Sequence, residues 1–190
     1  CFQKDILNLV YLSKYYGLEE VANYWEQVTL LNQWQRNRIS KLIVETLFTT
    51  ITEKKIVILG LSYKSNTNDT RESASIYIAR DLIANGAKVI IHDPQVSTAQ
   101  IQNDLGIESL KDPNSNKKGG WLYTQDINNA IYNADALVIL TEWDLYKNLN
   151  WHSISKNMRK PAWVFDTRSI LNKKEIEKNG LNIWQIGKGY

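Results

Sequence analysis

The sequence predicts an α/β fold, a doubly wound parallel sheet preceded by a helical segment with one long helix. Three features carry this expectation. Short β-branched runs recur along the second part of the chain, as in Ile56-Val-Ile-Leu and Val89-Ile-Ile. Helix-periodic stretches separate them, and that alternation is the pattern of a parallel sheet with crossover helices. Before the first run lies a stretch with no Pro or Gly from Leu18 to about Thr50.

Taken in order, Ile6, Leu7, Leu9, Val10 and Leu12 recur at mixed i+3/i+4 spacing, which predicts a helix from Asp5 ending at Gly17. Val21, Trp25, Val28, Leu31, Ile39, Ile43 and Leu47 predict a second helix of roughly 30 residues, about 45 Å long at 1.5 Å per residue. That exceeds what a small domain needs for its own core, so the helix is expected either to brace domains or to pair with a symmetry mate. Strands are expected at residues 55–60, 88–93, 136–140, 163–166 and 182–185. Helices are expected at 75–85, 97–105, 127–132, 151–158 and 173–179. The segment 112–120 (DPNSNKKGG) reads as a polar surface loop. The predicted domains are a helical region over residues 1–52 and an α/β domain over residues 53–190.

The chain has 190 residues, 43% hydrophobic and 23% charged, with a net charge of +3. These values fit an ordinary globular protein. No apolar run approaches the ~20 residues needed to span a bilayer, so no membrane role is expected. Basic residues are spread rather than clustered, which argues against a nucleic-acid partner. One cysteine excludes an internal disulfide and fits a reducing, cytoplasmic setting. Two histidines and one cysteine, scattered, give no metal-ligand spacing, so no metal is expected. The chain opens at Cys1 with no Met, and the expectation is that the natural protein extends upstream.

In an open parallel sheet, ligands bind at the carboxyl ends of the strands near the point where strand order reverses. Three loops follow predicted strands there: residues 60–73, 141–144 and 166–169. The first lacks the G-x-G-x-x-G pattern of a dinucleotide cradle. It places Lys64 and Arg71 beside a helix start, where backbone N–H groups favour anions. Asp69 and Glu72 have the D-x-x-E spacing of a capping box, which gives that pair a purely structural alternative. Arg168 follows a strand ending in Asp166; it either binds an anion or pairs with that aspartate. Trp143, in Thr141-Glu-Trp-Asp144, reads as a packing residue. At the start, Cys1-Phe-Gln-Lys-Asp5 sets a thiol before a helix and beside Lys4. Helix dipole and cation both favour a reactive thiolate, and Asp5 could orient water. The alternative is a small buried thiol.

These clusters occur in fixed order. Cys1-Phe-Gln-Lys-Asp, Ile58-Leu-Gly-Leu-Ser-Tyr-Lys, Asn68-Asp-Thr-Arg-Glu-Ser, Thr141-Glu-Trp-Asp and Phe165-Asp-Thr-Arg resemble the UDP-glucose 6-dehydrogenases, over essentially the whole chain and in their C-terminal portion. The resemblance implies a Rossmann-like UDP-binding domain, UDP-glucose as substrate, UDP-glucuronate as product and NAD as cofactor. It implies Cys1 as the nucleophile and Asp5 as the residue that orients water. Lys4 and Arg71 would lie beside the cofactor, and Tyr63, Lys64 and Arg168 would hold the UDP-sugar. The long helix would be a dimer helix in a homodimer or higher homo-oligomer. Ser65, Asn66 and Asn68 replace residues that are often Lys, Asp and Gly in the family, and Ser169 stands where many members have a second arginine. Two alternatives accompany this reading. One is a related GDP-mannose or UDP-N-acetylmannosamine dehydrogenase; the other is a nucleotide-binding or dimerisation module without chemistry of its own.

Overall fold

Five strands lie where the sequence predicts them, and a sixth, Gly120-Trp-Leu-Tyr123, follows directly on the polar segment read as a loop. In the computed structural model, which describes residues 2–112 and 118–188, the strands are β1 (Lys55–Leu59), β2 (Lys88–His92), β3 (Gly120–Tyr123), β4 (Ala136–Ile139), β5 (Trp163–Asp166) and β6 (Asn182–Gln185). Their order is β3-β2-β1-β4-β5-β6, and every neighbouring pair is parallel. Ile56 stands opposite Val89 on one side and Ala136 on the other. The order therefore reverses between β1 and β4, and loops leaving their carboxyl ends diverge around a crevice.

The central strands are fully enclosed, which explains their unbroken apolar runs. Ile56, Val57, Ile58 and Leu59 are all completely buried. Alternate residues serve opposite faces. Val57, Leu59, Leu137, Ile139 and Val164 join one core cluster with Ala130, Ile131, Trp151, Ile154 and Ile176. Those partners come from α5 (Ile127–Ile131), α7 (Trp151–Asn157) and α8 (Lys173–Lys178). On the β1-to-β3 crossovers lie α3 (Ala74–Ala84) and α4 (Thr98–Leu105); right-handed connections put them on the opposite face. A short α6 (Asp144–Lys147) follows β4.

Helix ends depart from the sequence expectation in informative ways. The N-cap of α3 is Ser73, whose hydroxyl accepts from the Ser75 N–H. Asp69 and Glu72 therefore form no capping box; Asp69 binds Arg71, and the Tyr77 hydroxyl donates to Glu72. The region read as a loop up to residue 120 yields a strand at Gly120. Gly119 makes this possible: at φ +71 its backbone runs so close to α3 that a Cβ there would sit 2.3 Å from the Ile83 carbonyl oxygen. β3 escaped notice because it has no β-branched side chain and follows directly on a polar, glycine-ended segment.

The chain divides into two units, Cys1–Leu42 and Ile43–Tyr190. The first holds α1 (Phe2–Tyr15) and most of α2 (Glu19–Thr46), a helix of 28 residues. α2 ends before Thr50 because Phe48 and Thr49 adopt positive φ. The described residues include no helix long and apolar enough to cross a membrane.

Candidate functional site

Three loops at the carboxyl ends of β1, β4 and β5 are tied together by side chains that the sheet edge buries. Asp93, just past β2 and 1% exposed, is the first tie. Its Oδ2 accepts from the Leu61 N–H at 2.7 Å, the Ser62 N–H at 3.1 Å and the Ser62 hydroxyl at 3.3 Å. Its Oδ1 accepts from the N–H groups of Gln95 and Val96. A buried carboxylate is tolerated only when satisfied in this way. The consequence is chemical: the first N–H groups after β1, which in a dinucleotide-binding turn face a pyrophosphate, are already occupied. Together with the missing glycine pattern, this leaves no dinucleotide cradle in the loop.

Gly60 and Thr141 form the second tie. Gly60 has φ +93, and a Cβ on it would stand 2.4 Å from Thr141 Cβ. Close approach lets the Thr141 hydroxyl donate to the Ser62 carbonyl at 2.6 Å. Ser73 closes the other end of the loop, donating its hydroxyl to the Leu61 carbonyl at 2.8 Å.

The third tie reaches the exposed part of the site. Asp166 is fully buried and accepts from the N–H groups of Arg168 and Leu171 and from Gln185 Nε2. It shapes the turn that carries Arg168 but does not pair with its guanidinium. That guanidinium instead meets Glu142: Nε lies 2.5 Å from Oε2, and Nη2 contacts the same oxygen. The other oxygen of Glu142 accepts from the Ser65 N–H at 3.4 Å. Glu142 therefore bridges the β5 loop to the β1 loop. Burial works to raise its carboxyl pKa, but the hydrogen bond and charge of Arg168, with backbone donors, hold it below the ordinary carboxylate value.

Lys64 precedes that contact, with Nζ 5.4 Å from the centroid of the Tyr63 ring; Tyr63 is 46% exposed. The loop then doubles back, the Tyr63 N–H donating to the Asp69 carbonyl at 2.9 Å. Arg71 forms a two-pronged contact with the Asp69 carboxylate and is otherwise in solvent. Hydrogen bonds from Arg71, side chain first and then backbone, push the Asp69 carboxyl down to about 2.

Of the sequence-predicted site residues, Tyr63, Lys64, Arg71 and Arg168 belong to the sheet unit and lie on these loops. Lys4 and Asp5 are exposed in the first turns of α1, in the other unit. Cys1 lies outside the described residues. Trp143 is a packing residue, 6% exposed and part of the core cluster. Sequence reasoning passed over Glu142 and Asp93. The T-E-W-D segment drew notice for its tryptophan, whereas its acidic neighbour following a central strand was the usable signal. A separate cleft of 530 Å³, lined by His92, Gln125, Asp126, Asn128, Leu145 and Asn150 among others, takes no residue from the three loops. Among the described residues no cluster of His, Cys, Asp and Glu could hold a metal.

The comparisons identify what this edge belongs to. Residues 57–173 match the model of the UDP-glucose/GDP-mannose dehydrogenase family, UDP binding domain. The chain belongs to the UDP-glucose/GDP-mannose dehydrogenase family. It is 46% identical over 190 residues to a UDP-glucose 6-dehydrogenase of Gallus gallus, covering 99% of this chain and 38% of that protein. It is 43% identical over 191 residues to the Drosophila melanogaster UDP-glucose 6-dehydrogenase, covering all of this chain and 40% of that one. Among solved structures, a UDP-glucose dehydrogenase from Pyrobaculum islandicum superposes with a TM-score of 0.71 at 25% identity, covering 97% of this chain and 36% of the other. The chain thus spans about two fifths of the length of its curated family relatives.

Proposed function

We propose that this chain is the C-terminal, UDP-sugar-binding part of an NAD-dependent dehydrogenase that oxidises UDP-glucose to UDP-glucuronate in two steps at one carbon. The observation that carries this reading is the bridge Glu142 makes from Arg168 to the Ser65 N–H, next in sequence to Lys64, at the carboxyl edge where strand order reverses. Two cations on adjoining loops suit a diphosphate, and charge-assisted contacts of this kind are the strong ones. The resemblance and the 43–46% identity to UDP-glucose 6-dehydrogenases support the choice of sugar nucleotide.

Tyr63, Lys64 and Arg168 hold the nucleotide sugar. The Cys1 thiolate adds to the C6 aldehyde to give a thiohemiacetal, and loss of a second hydride from that carbon turns it into a thioester, so the reactive carbon stays attached to the protein through the second oxidation. Asp5 orients the water that cleaves the resulting thioester, giving the uronate and restoring the thiol. NAD would be the hydride acceptor; the loop after β1 offers it no cradle, and Lys4 and Arg71 would lie beside it. Oligomerisation through α2 accompanies this role. In the complete protein, UDP-glucose should drive reduction of two NAD per UDP-glucuronate formed, measured by absorbance and chromatography. A ratio of one, or no UDP-glucose dependence, would refute the two-step reading.

A further inference from the structure

Glu142 lies between two loops assigned to the substrate, yet a carboxylate beside a diphosphate site repels the ligand unless it does something else. Its two oxygens divide the work. Oε2 takes both Nε and Nη2 of Arg168, and Oε1 takes the Ser65 N–H. The Arg168 side chain is 35% exposed and that of Glu142 31%, so the pair sits at the rim of the loops rather than in the core. An arginine free in solution would surrender rotamer freedom on binding. Held through one edge of the guanidinium, Arg168 has already lost that freedom and keeps Nη1 for a ligand. Ser65 follows Lys64 directly, so the same carboxylate fixes the backbone that carries the second cation.

We infer that Glu142 is a positioning residue for the nucleotide diphosphate, acting through Arg168 and the Lys64–Ser65 backbone rather than by touching substrate. This rests on the reading of the three loops as the UDP-sugar site. Preorganisation of this kind strengthens binding by lowering its ordering cost. It serves ground state and transition state alike, so KM should rise on its loss while kcat changes little.

The test is a double-mutant cycle in the complete dehydrogenase, with UDP as the titrant in calorimetry. Arg168→Ala should weaken UDP binding at least several-fold. Glu142→Ala should weaken it several-fold when Arg168 is present, with most of that loss absent in the Arg168→Ala background. Glu142→Gln, which keeps the shape but not the charge, should lose less; it carries the same cycle should Glu142→Ala fail to fold. The KM for UDP-glucose should rise with kcat within about twofold. An equal loss from Glu142→Ala with and without Arg168 would mark a merely structural role and overturn the inference. So would unchanged or tighter binding, the latter identifying Glu142 as a competitor of the diphosphate. If Arg168→Ala itself leaves UDP binding unchanged, the site reading fails and the inference with it; if only the Glu142 variants are silent, the inference alone fails.

Discussion

The Tyr146 hydroxyl lies 2.9 Å from His92 Nδ1 and 3.1 Å from the carbonyl oxygen of the same histidine. The hydroxyl has one proton for these two acceptors, so the His92 tautomer decides which of them it serves. Burial lowers the His92 pKa, outweighing the nearby charge of Asp93, which pulls it up. Burial, together with the Asp93 and Tyr123 charges, pushes the Tyr146 hydroxyl well above its ordinary value.

A histidine held below its unfolded value of about 6.5 takes up its proton more readily once the chain unfolds. Stability is therefore full above that value and is lost as pH falls through it towards the lower folded value. The thermal midpoint should drop between pH 7 and pH 5, and His92→Asn should flatten that slope. An identical slope in the variant would exclude His92 as its source.

Gly60 should tolerate no side chain. An alanine held at its positive φ costs about 1–3 kcal/mol, and overlap with Thr141 adds about 1–3 kcal/mol. Urea denaturation of Gly60→Ala should show a clearly lower midpoint. An unchanged one would mean that the two loops do not approach as closely as described.

Lys64 and Arg71 separate the two nucleotides of the proposed reaction. A charge-assisted contact contributes roughly 1.5–3 kcal/mol, so Lys64→Ala in the complete protein should weaken UDP-glucose at least several-fold. Arg71→Ala should leave UDP-glucose affinity alone and raise the KM for NAD. Calorimetry and steady-state kinetics that show the reverse pattern would undo both assignments.

α1 and α2 carry an unusual display of exposed apolar residues, including Tyr11, Tyr15, Tyr24, Leu30, Leu31 and Trp34. Soluble monomers rarely expose contiguous apolar patches beyond a few hundred Å². Pairing with a second copy would cover them, and light scattering of the 22.0 kDa chain should give about twice that mass. Leu31→Glu with Trp34→Glu should return the monomer mass. A monomer without any substitution would contradict the dimer.

What the sequence disclosed follows from where its signals are local. β1, β2, β4 and β5 announce themselves because strands enclosed on both faces must be apolar throughout. β3 could not, since a four-residue strand beginning at a glycine pair depends on close approach to α3, a contact made across 36 residues of sequence. Lys64 and Arg168 were legible as cations on loops after strands. Their link through Glu142 was not, because hydrogen bonds spanning 77 and 26 residues leave no spacing to read. The paired reading of Arg168 with Asp166 failed for the same reason: short sequence distance favoured a partner that in fact binds only the backbone.

The most direct test concerns the cysteine. In the complete protein, Cys1→Ser should abolish UDP-glucuronate formation from UDP-glucose and NAD while leaving UDP binding intact, because a hydroxyl replaces a thiolate poorly as the nucleophile. Product analysis by chromatography, with UDP calorimetry on the same sample, supports the account if uronate is absent and UDP still binds. Near-normal uronate from that variant would contradict it.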